Sequence, residues 1–194
     1  DFTLTATNTG GSADSGTGTI NDHGTGAIYL GTNTTSTPNV STDTGYPAQL
    51  DDDRPLTVSD VTVNEASPYA VFTVTGATGQ LVKLTLADGT ATVSDGTATP
   101  NATDGSEDYG PALQYFNGTQ WTDYTPGSYV AIPGSGTTLL VRAAIINDTA
   151  DEGGHDFTLT ATNTGGSADS GTGTINDHGT GAVFLGTNNT GTAN

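Results

Sequence analysis

The chain has no cysteine, which rules out disulfide staples and thiolate metal sites. Basic residues are scarce: Arg54, Lys83 and Arg142 stand against 21 acidic residues, for a net charge of −18. Phosphate binding needs a basic face, so the sequence argues against nucleic acid and against an anionic membrane surface as partners. No run of 18 apolar residues reads as a membrane-spanning helix, so direct membrane insertion is not expected. No stretch of ten or more residues shows capped helical periodicity. Serines occur without a nucleophile-elbow pattern, and His23, His155 and His178 have no Cys or neighbouring His to complete a site. The reading is therefore of a protein that is not an enzyme.

What the chain does have is Thr, Gly and short alternating runs. Hydrophobic residues amount to 32%, which implies a thin core. The segments 57–63, 69–74, 81–86, 129–132, 138–146, 156–162 and 171–175 read as strands separated by turn residues. Phe157, Leu159 and Ala161 would face inward while Thr158, Thr160 and Thr162 face water. The near-continuous apolar run "LLVRAAII" suggests a central strand. Short strands at regular spacing predict an all-β fold, an antiparallel Ig-like β-sandwich.

One feature sets the organisation. Residues 1–39 align without gaps to residues 156–194, and 34 of the 39 pairs are identical. The offset of 155 residues is the length of a domain, so the reading is a piece of a tandem array. Residues 1–23 are then the closing strands of a preceding repeat. Residues 24–50 are either a linker or an extended segment lying along the sandwich, anchored by Ile28, Tyr29 and Leu30. Residues 51–178 form the β-sandwich repeat, and 179–194 begin the next linker. Neighbouring repeats of the same chain are the expected partners. Because the two end segments match, strand exchange between chains is an expected hazard.

The acids are skewed, with 18 Asp against Glu65, Glu107 and Glu152. They cluster at strand ends: Glu65; Asp95, Glu107 and Asp108; Asp148, Asp151, Glu152 and Asp156; and Asp177, with Asp22 as its twin. In a sandwich, alternate loops gather at one end. Like charges gathered there repel unless a cation lies between them. Short Asp side chains in Gly-rich loops suit Ca2+, which takes 6–8 oxygen ligands, so several Ca2+ ions are expected. For any single cluster, solvated acidic loops are the alternative.

The succession "VNEASPYAVFTV", "EDYG", "AAIINDTADEGGHDFTLTATN" and "GTINDHG", over about residues 57–178, resembles the Calx-β motif. The resemblance implies a Ca2+-binding β-sandwich with ligands at Glu65, Asp108, Asp148, Asp151, Glu152 and Asp177. This chain departs from the family pattern where Asn147 and Asn176 replace acids, and its second acid before the Phe strand is Asp156. The repeat and "LDDDRPLTVSDVTVNE" are similar to the extender domains of bacterial RTX adhesins. That likeness implies a type I-secreted, extracellular protein at the bacterial cell surface. It also implies that Asp51, Asp52 and Asp53 lie at a domain junction, where they could share an ion with the preceding repeat near Asp22. The other reading of "DDDRP" is a solvated loop partly neutralised by Arg54.

Residues 109–129 hold Tyr109, Tyr115, Phe116, Trp121, Tyr124 and Tyr129. Such a patch suits either stacking on a carbohydrate or, with Phe116 and Trp121 as core residues, a hairpin turning at "NGTQ". The low apolar content favours the hairpin.

Overall fold

The computed structural model describes residues 1–21, 26–46, 54–94, 107–133, 136–148, 151 and 153–194. The chain forms two compact units, Asp1–Asp51 and Asp52–Asn194. In the first, β1 (Phe2–Thr7) and β2 (Ala13–Gly18) make an antiparallel hairpin. The Asn8 side-chain oxygen closes its turn by accepting from the N–H groups of Gly10 and Ser12. Further on, Asn33 Nδ2 donates to the Thr37 carbonyl and to Asn39 Oδ1, which folds residues 28–39 into a compact loop.

The second unit is a β-sandwich of two five-stranded sheets. One sheet runs β3 (Thr57–Val58), β5 (Tyr69–Thr75), β10 (Thr138–Ile145), β7 (Tyr109–Phe116) and β8 (Trp121–Asp123). The other runs β4 (Val61–Asn64), β12 (Ala168–Asn176), β11 (His155–Asn163), β6 (Leu81–Asp88) and β9 (Val130–Ala131). Among the described residues there is no helix. Neighbouring strands pair antiparallel, except β12 and β4, which run parallel.

Period-two alternation produces the core. On β11, Phe157, Leu159 and Ala161 are buried, while Thr158, Thr160 and Thr162 on the opposite face are half-buried rather than fully wetted. Phe157 stacks on Tyr109 at 4.4 Å between ring centroids and meets Phe72 edge-on at 5.7 Å, which joins β11 to β7 and β5 across the sandwich. Burying a side chain of this size contributes about 1.5–3 kcal/mol. The run "LLVRAAII" supplies β10, the middle strand of its sheet.

Arg142 interrupts that run because its side chain leaves the core. Its guanidinium lies between the rings of Tyr69 and Trp121, at 3.8 and 4.2 Å. Nε donates to Gln114 Oε1 and Nη1 to the Gly186 carbonyl. Residues 182–188 follow this outer face, where Phe184 bridges to Tyr69 and Trp121 Nε1 donates to the Asn188 carbonyl.

The segment 57–63, read above as one strand, is two. β3 pairs with β5 in one sheet and β4 pairs with β12 in the other. The switch falls at Ser59 and Asp60. The Ser59 hydroxyl accepts from the Thr73 N–H, and Asp60 Oδ1 accepts from the Thr172 N–H, so each residue binds a different sheet. This crossing also fixes a glycine. A Cβ on Gly171 would sit 2.2 Å from the Ser59 carbonyl oxygen, whereas its twin Gly16 has nothing within 4 Å. Gly171→Ala is expected to cost about 1–3 kcal/mol in urea unfolding. Gly16→Ala is expected to leave the main transition unmoved, and equal losses from both would contradict this account of the switch.

Candidate metal centre

β4 and β12 run parallel and end together, with Asn64 opposite Asn176. The next residues are Glu65 and Asp177. The end of β10 leads into Asn147 and Asp148. These three strand ends open into one depression of about 400 Å³, lined by Asn64, Glu65, Ala66, Asn147, Asp148, Asp151, Asp177 and His178. Residues 112 positions apart in sequence thus meet because parallel strands share an end.

The geometry concentrates negative charge. Glu65 Oε1 accepts the Asp148 N–H at 3.0 Å. Partial burial, more than any other cause, holds the Glu65 carboxyl above its usual range; the Asp148 N–H works against this, while the carboxylates of Asp177 and Asp148 add to it. One ligand atom each from Asp151, Asp177 and His178 lie within 4.8 Å of one another. His178 Nδ1 is 3.6 Å from an oxygen of Asp151 and from one of Asp177. Four carboxylates on one depression repel one another in a way that a multivalent cation relieves. Their oxygen chemistry fits a hard cation such as Ca2+.

The remaining candidates lie elsewhere. Asp108 Oδ2 accepts the Thr92 N–H, and its Oδ1 is 2.7 Å from His155 Nδ1. Asp156 precedes the inward-facing Phe157, so it points away from the core, and its Oδ1 accepts the Thr174 hydroxyl. Neither Asp108, Asp156 nor Glu107 lines the depression. Asp22, Asp51, Asp52, Asp53, Asp95 and Glu152 lie outside the described residues. The structure therefore brings together Glu65, Asp148, Asp151 and Asp177, and adds His178. Sequence reasoning set His178 aside for want of His or Cys partners; its place beside Asp177 in the repeated "NDHG" was the available signal. Asn176 Nδ2 donates to Thr180 Oγ1 and steadies the loop after β12.

The aromatic residues of 109–129 are dispersed. Tyr109 and Tyr124 are buried, Phe116 and Trp121 meet edge-on across the β7–β8 hairpin, and Tyr129 is exposed. Tyr109 and Tyr124 also border an apolar cavity of about 370 Å³ with Leu84, Leu86 and Leu113. Burial, together with donation to Asp88, pushes the Tyr109 hydroxyl far above its ordinary pKa.

No protein-family model matches the chain, and no curated protein sequence matches it. Among solved structures it is similar to an apo-form Calx CBD1 domain, at 18% identity and a TM-score of 0.41, over 63% of this chain and 96% of that one. It is also similar to a conjugative transposon lipoprotein from Bacteroides eggerthii, at 10% identity and a TM-score of 0.36, over 63% and 98% of the two chains. A lipoprotein from Bacteroides thetaiotaomicron aligns at 12% identity and a TM-score of 0.34, over 73% and 88%.

The raised pKa of Glu65 sets a pH dependence for the cation-free protein. Between its ordinary value of 4.5 and the raised value, the folded chain holds a proton that the unfolded chain has lost. This group's contribution is therefore fully present below pH 4.5 and is lost as pH rises through the raised value. In chelator at pH 7, Glu65→Gln is expected to be more stable than the parent by at most about 1 kcal/mol, given the partial exposure. The difference should close as pH falls toward 4.5. Urea titrations at several pH values check this, and a destabilised variant at pH 7 would contradict the assigned cost of burying the Glu65 charge beside Asp148 and Asp177.

Proposed function

We propose that the chain is a non-catalytic, Ca2+-binding structural module of Calx-β type. In this reading it serves as an extender repeat of a long RTX-type adhesin, type I-secreted and held at the bacterial cell surface. The observation that carries the Ca2+ reading is the convergence of Glu65, Asp148, Asp151 and Asp177 from three strand ends onto one depression. The extender reading is supported by the near-identical segments 155 residues apart and by the acidic, cysteine-free composition. Neighbouring repeats of the same chain are the partners in this proposal.

The mechanism is electrostatic linkage. Without cation, the carboxylates repel and the loops after β4, β10 and β12 are driven apart. A bound ion ties these loops together, and its binding free energy adds to folding stability. By the size scaling of globular domains, each repeat spans roughly 40 Å, so many stiffened repeats would project distal domains far from the cell. A further ion held by Asp51, Asp52 and Asp53 would fix one repeat against the next.

Thermal unfolding with and without Ca2+ tests the site. At a Ca2+ concentration about a thousandfold above Kd, stability rises by about 4 kcal/mol. For a domain of this size that corresponds to a Tm increase of about 10 °C. Asp177→Asn and Asp148→Asn are expected to lose most of the increase, Asp156→Asn to keep it, and Mg2+ to give less of it. No response to Ca2+ in the parent would remove the metal reading.

A further inference from the structure

The hairpin Phe2–Gly18 and the loop 28–39 reproduce their counterparts in 156–194 in local structure as well as in sequence. The β1–β2 register, Phe2 opposite Gly18 through Thr7 opposite Ala13, repeats as Phe157 opposite Gly173 through Thr162 opposite Ala168. The hydroxyl pair Thr5–Ser15 at 2.7 Å recurs as Thr160–Ser170 at 2.7 Å. The loops agree too: Asn33 Nδ2 reaches Thr37 and Asn39 as Asn188 Nδ2 reaches Thr192 and Asn194. The local fold is thus independent of where it sits.

Burial is where the two copies part. Phe157 and Leu159 are 0% exposed, Ile175 is 3% and Phe184 is 4% exposed. Their counterparts Phe2, Leu4, Ile20 and Tyr29 are 57%, 72%, 80% and 55% exposed. The polar anchors differ in the same way. Asp169 accepts the Val58 N–H, and Asn163 donates to the Arg54 carbonyl, while the matching Asp14 accepts from its neighbour Ser15. The first copy therefore presents, already folded, the apolar surface and polar groups that close the sandwich in the second.

We propose that residues 1–39 are a second closing unit, which seats on the body formed by residues 54–148 of another copy of this chain, in the position that residues 156–194 hold. Apolar content and hydrogen-bond anchors match because the two units share 34 of 39 residues, and Tyr29 in place of the buried Phe184 keeps an aromatic ring. A second copy is favoured over the same chain by reach. A docked Asn39 would occupy the place of Asn194, beside Val183 at the His155 end of β11, whereas Arg54 is held at the Asn163 end. Residues 40–46 are taken up in turns, with the Asp43 N–H bonded to Val40 and the Tyr46 N–H to Asp43, and the seven residues from 47 to 53 reach at most about 25 Å, against about 30 Å for the nine residues of β11. In the parent, exchange trades one closing unit for its twin with no net burial, so the monomer prevails at low concentration. Disabling the resident unit removes that competition.

In the chain of residues 1–194, the variants Phe157→Asp, Phe2→Asp and the double variant test this by unfolding and sedimentation. Phe157→Asp is expected to keep a cooperative transition and to sediment at twice the monomer mass or more. Phe2→Asp should stay monomeric and folded, and the double variant should lose the sandwich. A Phe157→Asp protein that is a folded monomer, or that is as unfolded as the double variant at every concentration, would overturn the proposal. A second arm leaves the core intact. Strand β11 pairs Thr158 with Ala87, so the exchanged state places Thr3 against Ala87 of the other copy. In this cysteine-free chain, Thr3→Cys with Ala87→Cys should yield a disulfide dimer on refolding at high concentration, linked between those two positions. Its absence, with Thr158→Cys and Ala87→Cys cross-linking normally within the monomer, would also overturn the proposal.

Discussion

The ring of Phe157, flat against Tyr109 and edge-on to Phe72, is the contact on which the sandwich depends. It joins β11 of one sheet to β7 and β5 of the other, at the middle of a core with few large side chains. Gly173 leaves the space that the stack requires, since a Cβ there would meet both Phe157 and Phe72 at under 3 Å. The same hairpin that delivers Phe157 also delivers the chemistry: β12 runs out beside β4 and sets Asp177 next to Glu65. The closed core and the meeting of these two carboxylates thus depend on the same hairpin.

The charge distribution follows from this arrangement. A body with a thin apolar core cannot absorb carboxylates, so the acids stand in loops and on outer faces. At most positions water screens them. At the end shared by β4, β10 and β12 they are crowded and partly shielded, and the raised pKa of Glu65 registers the shielding first and the neighbouring carboxylates second. A cation there would turn the least comfortable region of the molecule into a clamp on three loops. Arg142 meets the opposite problem. Carried on a core strand, it is stabilised by two aromatic faces and by the Gly186 carbonyl, so residues 182–188 are tied to the sheet by the same charge they cover.

Much of this was legible in the residues. The strands of 69–74, 81–86, 138–146 and 156–162 could be read because alternation and β-branched runs reflect burial directly. The acidic loops at strand ends were equally visible. The split at Ser59 and Asp60 was not, because a strand that changes sheets keeps its apolar alternation throughout. Nor did the sequence distinguish Asp148 and Asp177, which face the depression, from Asp108 and Asp156, which do not. All four flank strands, and their directions depend on twist and on partners such as Thr92 and Thr174.

The duplicated segment separates the two kinds of information. The sequence by itself determined the hairpin, its register and its Asn-closed loops, because those bonds form between residues at most 16 apart and recur unchanged in both copies. Whether Phe2 or Phe157 is buried is not in that sequence, since the two stretches are the same there. That was decided by the tertiary structure, through the long-range meeting of β11 with β6 and of Phe157 with Tyr109. Burial and charge crowding belong to neighbours distant in the chain, and it is those neighbours that turn a Thr-rich hairpin into the closing element of a core and one wall of a candidate metal centre.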